Sequence, residues 1–446
     1  MKKIFFTFFT MILLLTGGCY DANEPNNIAY VVALGIDKTE EKNIYEYTIQ
    51  FAKTTQISGG SSEEGGKEGS NIVEVINVKA PTICSGINMA NQSVSKTFTL
   101  AHTKLIVISE DIARSGVRDI FDTFGRNSDI RPDIYLSVAR GTAKDYLDAV
   151  KPIAEVNPVT YYRLIYQSEH GGYVPRTILR DFYFQLDGAE KQSVLPLAGV
   201  NEENKKKAES EKKSSGGSDS GGEQSEGNES EGDKENKDKA KINEEGFDFL
   251  MKEYVAGNMD VSKRNPSEVM GMAIFKNDKM IAMTDNIDSL IYNLITGHFK
   301  ISYTSFYNEN SPNIPTTVSL EQTKSPQIRV KTDGDNPKIK IKISLEGELV
   351  SESMDAPVED DIEGLERNIE KDTREYILNF LKKTTQEYDS DIIGFGQYAK
   401  MNFLNYADFV NYDWQDKYKN SEFEVEVEYT LQQVGFVDLS RKKTNF

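Results

Sequence analysis

Apolar and polar positions alternate with the period of a strand over much of this chain and switch to the helical period in a few bounded stretches. Ile28-Ala-Tyr-Val-Val-Ala-Leu-Gly-Ile-Asp37 is a continuous apolar run ended by a carboxylate, and Tyr45-Glu-Tyr-Thr-Ile-Gln-Phe-Ala52 alternates as its hairpin partner. Ile72–Val78, Lys104–Ser109 and Ile134–Ala139 continue the strands, with helices expected over Thr82–Lys96 and Asp111–Phe124. The stretch 157–185 reads as helical, with Pro158 and Pro175 near helix starts, and Ser193–Val200 reads as a short strand. Met270–Asp285 is a pair of apolar strands around an Asn277-Asp278 turn, followed by a helix from Asp285 to Thr296 that Gly297 closes.

The last third of the chain is the most regular. Ile339, Ile341, Ile343 and Leu345 alternate with Lys340, Lys342 and Ser344, as a half-exposed strand requires. Ile362, Leu365, Ile369, Ile377, Phe380 and Leu381 trace a helical stripe, with Asp360-Asp361 before it and Lys382-Lys383 at its end. Phe423, Val425, Val427, Tyr429 and Leu431 form a closing strand with glutamates on the other face. The pattern predicts an α+β chain of three serial mixed α/β domains, each a largely antiparallel or mixed sheet with helices packed on it. The expected boundaries are 26–198 with a helical extension, 244–325 for a middle domain and 326–446 for a C-terminal domain.

Between the first two lies Asn201–Asn243, built almost wholly of Lys, Glu, Asp, Ser, Gly and Asn without an aromatic residue. Such a segment buries too little apolar surface to offset the entropy of ordering, so disorder is expected. Ser58–Ser70 is a shorter Gly/Ser/Glu loop between strands.

The N-terminus carries the first chemistry. Lys2-Lys3, the apolar run Ile4–Leu15 and the small residues Gly17-Gly18 have the layout of a secretory signal, too short to span a bilayer, which takes about 20 residues. A small residue before Cys19 resembles a bacterial lipobox, although Thr16 stands where leucine is usual. Residues 1–18 are therefore expected to be removed after Gly18, leaving Cys19 as the lipid attachment residue and 19–25 as anchor and tether. The net charge of −19 over 446 residues excludes nucleic acid as a partner and gives no attraction to anionic headgroups, so the membrane must be held through lipid. The other cysteine, Cys84, then has no intrachain partner and is expected to be buried and inert.

Catalytic patterns are not evident. His102, His170 and His298 stand singly, Gly59–Lys67 lacks the order of a phosphate loop, and no G-x-S-x-G elbow occurs. The reading is of a non-enzyme without metal or cofactor. One motif stands out structurally: in Asp391-Ile-Ile-Gly-Phe-Gly396, Gly394 and Gly396 bracket Phe395 just after the long helix. Phe395 is either a plug seating the helix on its sheet or a partner contact, with Trp414 nearby in the chain.

Gly18-Cys19-Tyr20-Asp21 with Ile28–Asp37, the hairpin Gly271–Met280 with Leu294-Ile-Thr-Gly297, and Asp391–Gly396 with Trp414 and Phe423–Val427 together resemble the Ger(x)C family of spore germinant receptor lipoproteins. Tyr20 replaces a common tryptophan, Gln397 a common glutamate, and the 201–243 insert is unusually long. The resemblance implies a non-catalytic subunit on the outer face of the spore inner membrane, assembled with two integral-membrane receptor subunits that respond to small nutrients. Whether the chain itself contacts the nutrient stays open at this point. Two alternatives are a substrate-binding lipoprotein of an importer and a cell-wall hydrolase.

Overall fold

The computed structural model describes residues 27–52, 73–152, 157–167, 171–215, 252–308, 311–334, 336–351 and 362–433. Gly18, Cys19 and the Ser58–Ser70 loop lie outside these residues.

Nine strands form the first sheet, in the order β3-β2-β1-β5-β6-β7-β8-β9 with β4 attached to β1. They are β1 (Ile28–Lys38), β2 (Tyr45–Ala52), β3 (Val73–Ala80), β4 (Thr97–Thr99), β5 (Leu105–Ser109), β6 (Tyr135–Ala139), β7 (Val194–Val200), β8 (Ser267–Lys276) and β9 (Lys279–Thr284). β1 pairs antiparallel with β2 and parallel with β5. Its neighbour β5 sends Ile106 and Ile108 into one core and Leu105 and Val107 into another. A strand buried on both faces needs apolar residues at every position, which explains the unbroken runs.

β5, β6 and β7 run parallel, so helices cross between them. They are α2 (Glu110–Ser115), α3 (Arg118–Arg126), α4 (Ala143–Ala149), α5 (Pro158–Tyr166) and α6 (Leu179–Gln185), while α1 (Ile83–Asn91) precedes β4 and β5. The single helix expected over 111–124 is two, because Gly116 at φ +120° breaks the helical path. Pro158 opens α5 behind the Asn157 cap, whereas Pro175 starts no helix. Cys84 is exposed, not buried: α1 turns Ile83, Gly86 and Ala90 inward, and Cys84 falls off that stripe.

The insert begins as a helix, α7 (Glu202–Ser215), which corrects the expectation of disorder from Asn201 onward. Two buried amides hold its start. Asn201 Oδ1 accepts from Asn204 N at 3.1 Å, and its Nδ2 donates to Glu268 Oε1 at 2.9 Å. Asn204 Nδ2 donates to Val261 O at 2.7 Å. Asn204→Ala removes two hydrogen bonds, to Val261 O and from Lys263 N at 3.2 Å, and should lower stability by about 1–3 kcal/mol, whereas deleting 216–243 should leave the melting temperature unchanged. Thermal denaturation of both variants checks this, and a loss in the deletion would contradict it.

β8 and β9, which the pattern assigns to a middle domain, extend the first sheet by antiparallel pairing onto β7. The following α8 (Asn286–Thr296) is capped by Asp285 and closed by Gly297 in the left-handed region, as read from the sequence. β10 (Ile301–Asn308) and β11 (Ser311–Glu321) then join β12 (Gln327–Lys331), β13 (Lys338–Ser351) and β14 (Glu422–Gln433) in a second sheet, ordered β10-β11-β13-β12 with β14 on β13. Residues 244–325 thus contribute strands to both sheets. The class is α+β, with mixed sheets and helices packed on them.

Helix α9 (Ile362–Lys382) lays Leu365, Ile369, Ile377 and Phe380 into the same core as Ile339, Ile341 and Ile343 of β13. That core continues through Leu290, Ile291 and Leu294 of α8 to Met272 and Ile274 of β8, so one apolar body ties the two sheets together. The opposite face carries a ladder in which Lys340 meets Glu424 at 2.6 Å and Lys342 meets Glu426 at 2.9 Å. Exposed pairs of this kind add little stability and fix register instead. Glu366 and Glu370 of α9 accept from Leu431 N and Tyr429 N at 2.8 and 3.0 Å, which satisfies donors on the open edge of β14.

Candidate functional site

α9 runs on as a π-helical turn over Lys383–Glu387 and ends at Asp389, whose φ of +44° reverses the chain. The Asp391–Gly396 motif follows and leads into α10 (Phe395–Ala399), then α11 (Tyr406–Tyr412) and α12 (Trp414–Tyr418). The structure brings Gly394, Phe395, Gly396 and Trp414 together around one residue, the fully buried Asp391. Its Oδ1 accepts from Gly394 N at 2.8 Å and Phe395 N at 3.1 Å. Its Oδ2 accepts from Gly396 N and from Trp414 Nε1, both at 2.8 Å. Burial pushes the carboxyl above its ordinary range, while these four donors pull against that shift.

The glycines are required by space as well as by conformation. Gly394 sits at φ +94°, and a Cβ there would meet Lys191 Cδ at 2.8 Å. A Cβ on Gly396 would collide with the Glu190 carbonyl and with the Trp414 ring. Phe395 is fully buried, its ring 6.2 Å from that of Tyr418 and 6.0 Å from that of Phe423. Tyr418 in turn shares a 2.7 Å hydrogen bond with Thr384 in the π-turn.

This turn also joins the two sheets. Gln192 N donates to Asp391 O at 2.8 Å, and Gln192 Oε1 accepts from Asn277 N in the β8–β9 turn at 2.5 Å. Ser390 Oγ donates to Phe275 O at 3.2 Å, Lys276 pairs with Asp389 at 2.6 Å, and Lys400 pairs with Glu190 at 2.7 Å. Residues 188–192, 275–277 and 389–400 therefore form one interlock. Four donors converge on the Asp391 carboxylate, so the arrangement holds the shape of the turn.

The glycines and Phe395 stand out in the sequence, whereas the organiser of the turn is Asp391. An aspartate three residues before a glycine is a known local cue for side-chain-to-backbone turns, and it was the available signal. Asp37, which ends the apolar run of β1, is a second buried carboxylate that the sequence pattern does not single out. Its carboxylate accepts from Ala143 N at 2.7 Å and Lys144 N at 2.9 Å, fastening α4 to β1. Burial pushes its pKa up to about 6. A folded pKa above the unfolded one means that the native state holds more protons between about pH 4 and 6, so stability falls as pH rises through that window. The shift corresponds to about 3 kcal/mol. Asp37→Asn should flatten that fall, and denaturation curves from pH 4 to 7 measure it.

Among the histidines, His102 stacks edge-on against Tyr30 at 4.8 Å, His298 shares a 3.1 Å hydrogen bond with Thr296, and His170 lies outside the described residues. Among the described residues no three His, Cys, Asp or Glu side chains could hold a metal together, and no helix is long and apolar enough to cross a membrane.

Two family models match the chain in order. Residues 21–200 match the spore germination protein N-terminal domain, and residues 270–435 match the spore germination B3/GerAC-like C-terminal domain. The chain belongs to the GerAC family of spore germination proteins.

In this GerAC-family chain the first matched segment ends with β7 and the second opens inside β8, and these two strands hydrogen-bond to each other. Relatives include the spore germination protein GerQC of Bacillus cereus, 22% identical over 92% of this chain and 98% of that protein. The putative spore germination protein YfkR of Bacillus subtilis is 36% identical over 31% of this chain, and spore germination protein KC is 28% identical over 32%. The chain spans about a third of the length of these last two, 35% of each. The crystal structure of the GerBC protein matches with a TM-score of 0.50 at 13% identity, over 89% of this chain and 96% of that one, which establishes a shared fold.

Proposed function

We propose that this chain is the non-catalytic lipoprotein subunit of a spore nutrient germinant receptor, required for receptor assembly and for the response to germinants. It is tethered to the outer face of the spore inner membrane through lipid on Cys19 after cleavage at Gly18, and it joins two integral-membrane subunits. The observation that carries this reading is the ordered match of both family segments on one chain, supported by relatives named as spore germination proteins. The interlock at Asp391 suits such a role, since it holds two sheets as one body against which partners can assemble.

The tether is tested by fractionation. Two acyl chains hold a protein stably at a bilayer, and this acidic chain has no excess of basic charge to replace them. In cells lacking the integral-membrane subunits, wild type should take up labelled palmitate and sediment with membranes, while Cys19→Ala should do neither. Full membrane retention of unlabelled Cys19→Ala in cells lacking the integral-membrane subunits would refute the lipid anchor.

A further inference from the structure

Among the described residues, 401–410 gather apolar side chains in water: Met401 is 75% exposed, Leu404 102%, Tyr406 57% and Val410 49%. Singly exposed apolar residues are ordinary, but a cluster of them marks a surface that meets something other than water. Its base is firmly held. The Phe403 ring lies 5.7 Å from that of Phe409 and 5.2 Å from that of Tyr412, and Phe409 is buried. Asn402 Nδ2 donates to Val330 O at 2.9 Å, and Asn405 caps α11 by accepting from Asp408 N at 3.0 Å. Charge is scarce here: Lys400 and Asp408 are the ionic residues of 400–412 and they cancel, in a chain of net charge −19.

The patch segment is fastened to the edge of the first sheet at which the chain enters from Cys19. β1, β5, β6 and β7 are parallel, with Ala33 beside Leu105, Leu105 beside Tyr135 and Val138 beside Leu197, so their first residues share that edge. Ile28 begins β1 there, nine residues after Cys19, a reach of at most about 32 Å. Residues 188–192 lead into β7 at the same edge, three strands or about 14 Å across the sheet. Lys400 pairs with Glu190 at 2.7 Å, and Gln415 Nε2 donates to Ala189 O at 3.1 Å, which ties both ends of the patch segment to this edge. A lipid on Cys19 brings the bilayer within reach of it.

We propose that Met401, Leu404, Tyr406 and Val410 enter the bilayer surface, a second and shallow contact that fixes how the tethered chain stands on the membrane. The proposal rests on the lipid-anchor reading, which supplies the tether. Apolar side chains gain by leaving water at the headgroup boundary, and a tyrosine suits that boundary with its apolar ring and polar tip. Local neutrality matters, because anionic headgroups repel the acidic remainder of the surface. Four side chains are too few to hold the chain alone, so Cys19→Ala still detaches. The tether makes the contact intramolecular, and a weak contact then suffices.

An artificial tether tests this without depending on acylation of Cys19. The chain from Tyr20 onward, with a polyhistidine tag in place of Cys19 and with Cys84→Ser, is held on phosphatidylcholine vesicles through a nickel-chelating lipid. An environment-sensitive dye sits on Leu404→Cys or, as the control, on Val350→Cys. Val350 is exposed and lies eleven residues along β13 from Ile339, the partner of Val330, so about 37 Å from where Asn402 is anchored. Vesicles should shift the emission at residue 404 to the blue and leave that at residue 350 unchanged. Adding Met401→Asp and Val410→Asp should return the emission toward that in water without moving the melting temperature, since both side chains are exposed. Emission at 404 that stays aqueous on the vesicles, or a shift undiminished by the two aspartates, would overturn the proposal. So would a shift that arises without vesicles and grows with protein concentration, which marks a second copy. Shielding found only in the receptor purified with its integral-membrane subunits would overturn it as well, in favour of a protein contact.

Discussion

Asp391→Ala is expected to lower stability by about 3–5 kcal/mol, as removal of one partner from a buried charged network does. The substitution leaves the N–H groups of Gly394, Phe395 and Gly396 and the Trp414 indole without an acceptor, in a place that water does not reach. It also loosens the turn that Gln192 N grips through Asp391 O, so the effect should reach the first sheet. Asp391→Asn should recover only part of the loss. Its amide nitrogen would face donors on whichever side it pointed, either the Gly394 and Phe395 N–H groups or those of Gly396 and Trp414. Calorimetry of the wild type and both variants measures the order. Full recovery in the asparagine variant would show that a carboxylate is not needed.

Phe395→Ala should cost a similar amount, about 3–5 kcal/mol for a large aromatic removed from a closed core. The side chain packs among Tyr418, Phe423 and the end of α9, and the cavity cannot collapse while Gly394 and Gly396 hold the backbone on both sides. A partner-contact residue would behave differently, leaving folding intact and weakening assembly. Calorimetry beside a pull-down with the integral-membrane subunits separates the two. A folded, normally stable Phe395→Ala chain with impaired assembly would replace the plug reading with the contact reading, and normal assembly as well would dismiss both.

What was legible in the sequence was local. The helix of Asp285–Gly297 could be bounded from its cap and its left-handed glycine, and the first half of β13 could be read from the alternation over Ile339–Leu345, because each signal lies within a few residues of the structure it sets. The pairing of β7 with β8 was not legible. Strand order depends on contacts across the 201–266 stretch, and nothing in either strand's own pattern names its neighbour. Composition hid α7 for a related reason. A Lys/Glu/Ser segment reads as disorder, yet its first turn is held by the buried amides of Asn201 and Asn204 against residues 259–268, far along the chain.

The candidate site shows the same division. Gly394 and Gly396 announced a tight turn, and Phe395 a buried or binding ring, from residue type alone. The organiser could not be read so directly, since one of its four donors comes from Trp414, 23 residues away in the sequence. The seam with residues 188–192 and 275–277 lies more than a hundred residues off and required the folded chain.

Capture from spores tests assembly in a germinant receptor most directly. The tagged full chain, purified from the inner-membrane fraction of dormant spores in mild detergent, should bring down two integral-membrane spore germination proteins in constant proportion, identified by mass spectrometry. Recovery of the chain alone, or together with the permease of a nutrient importer, would contradict the account.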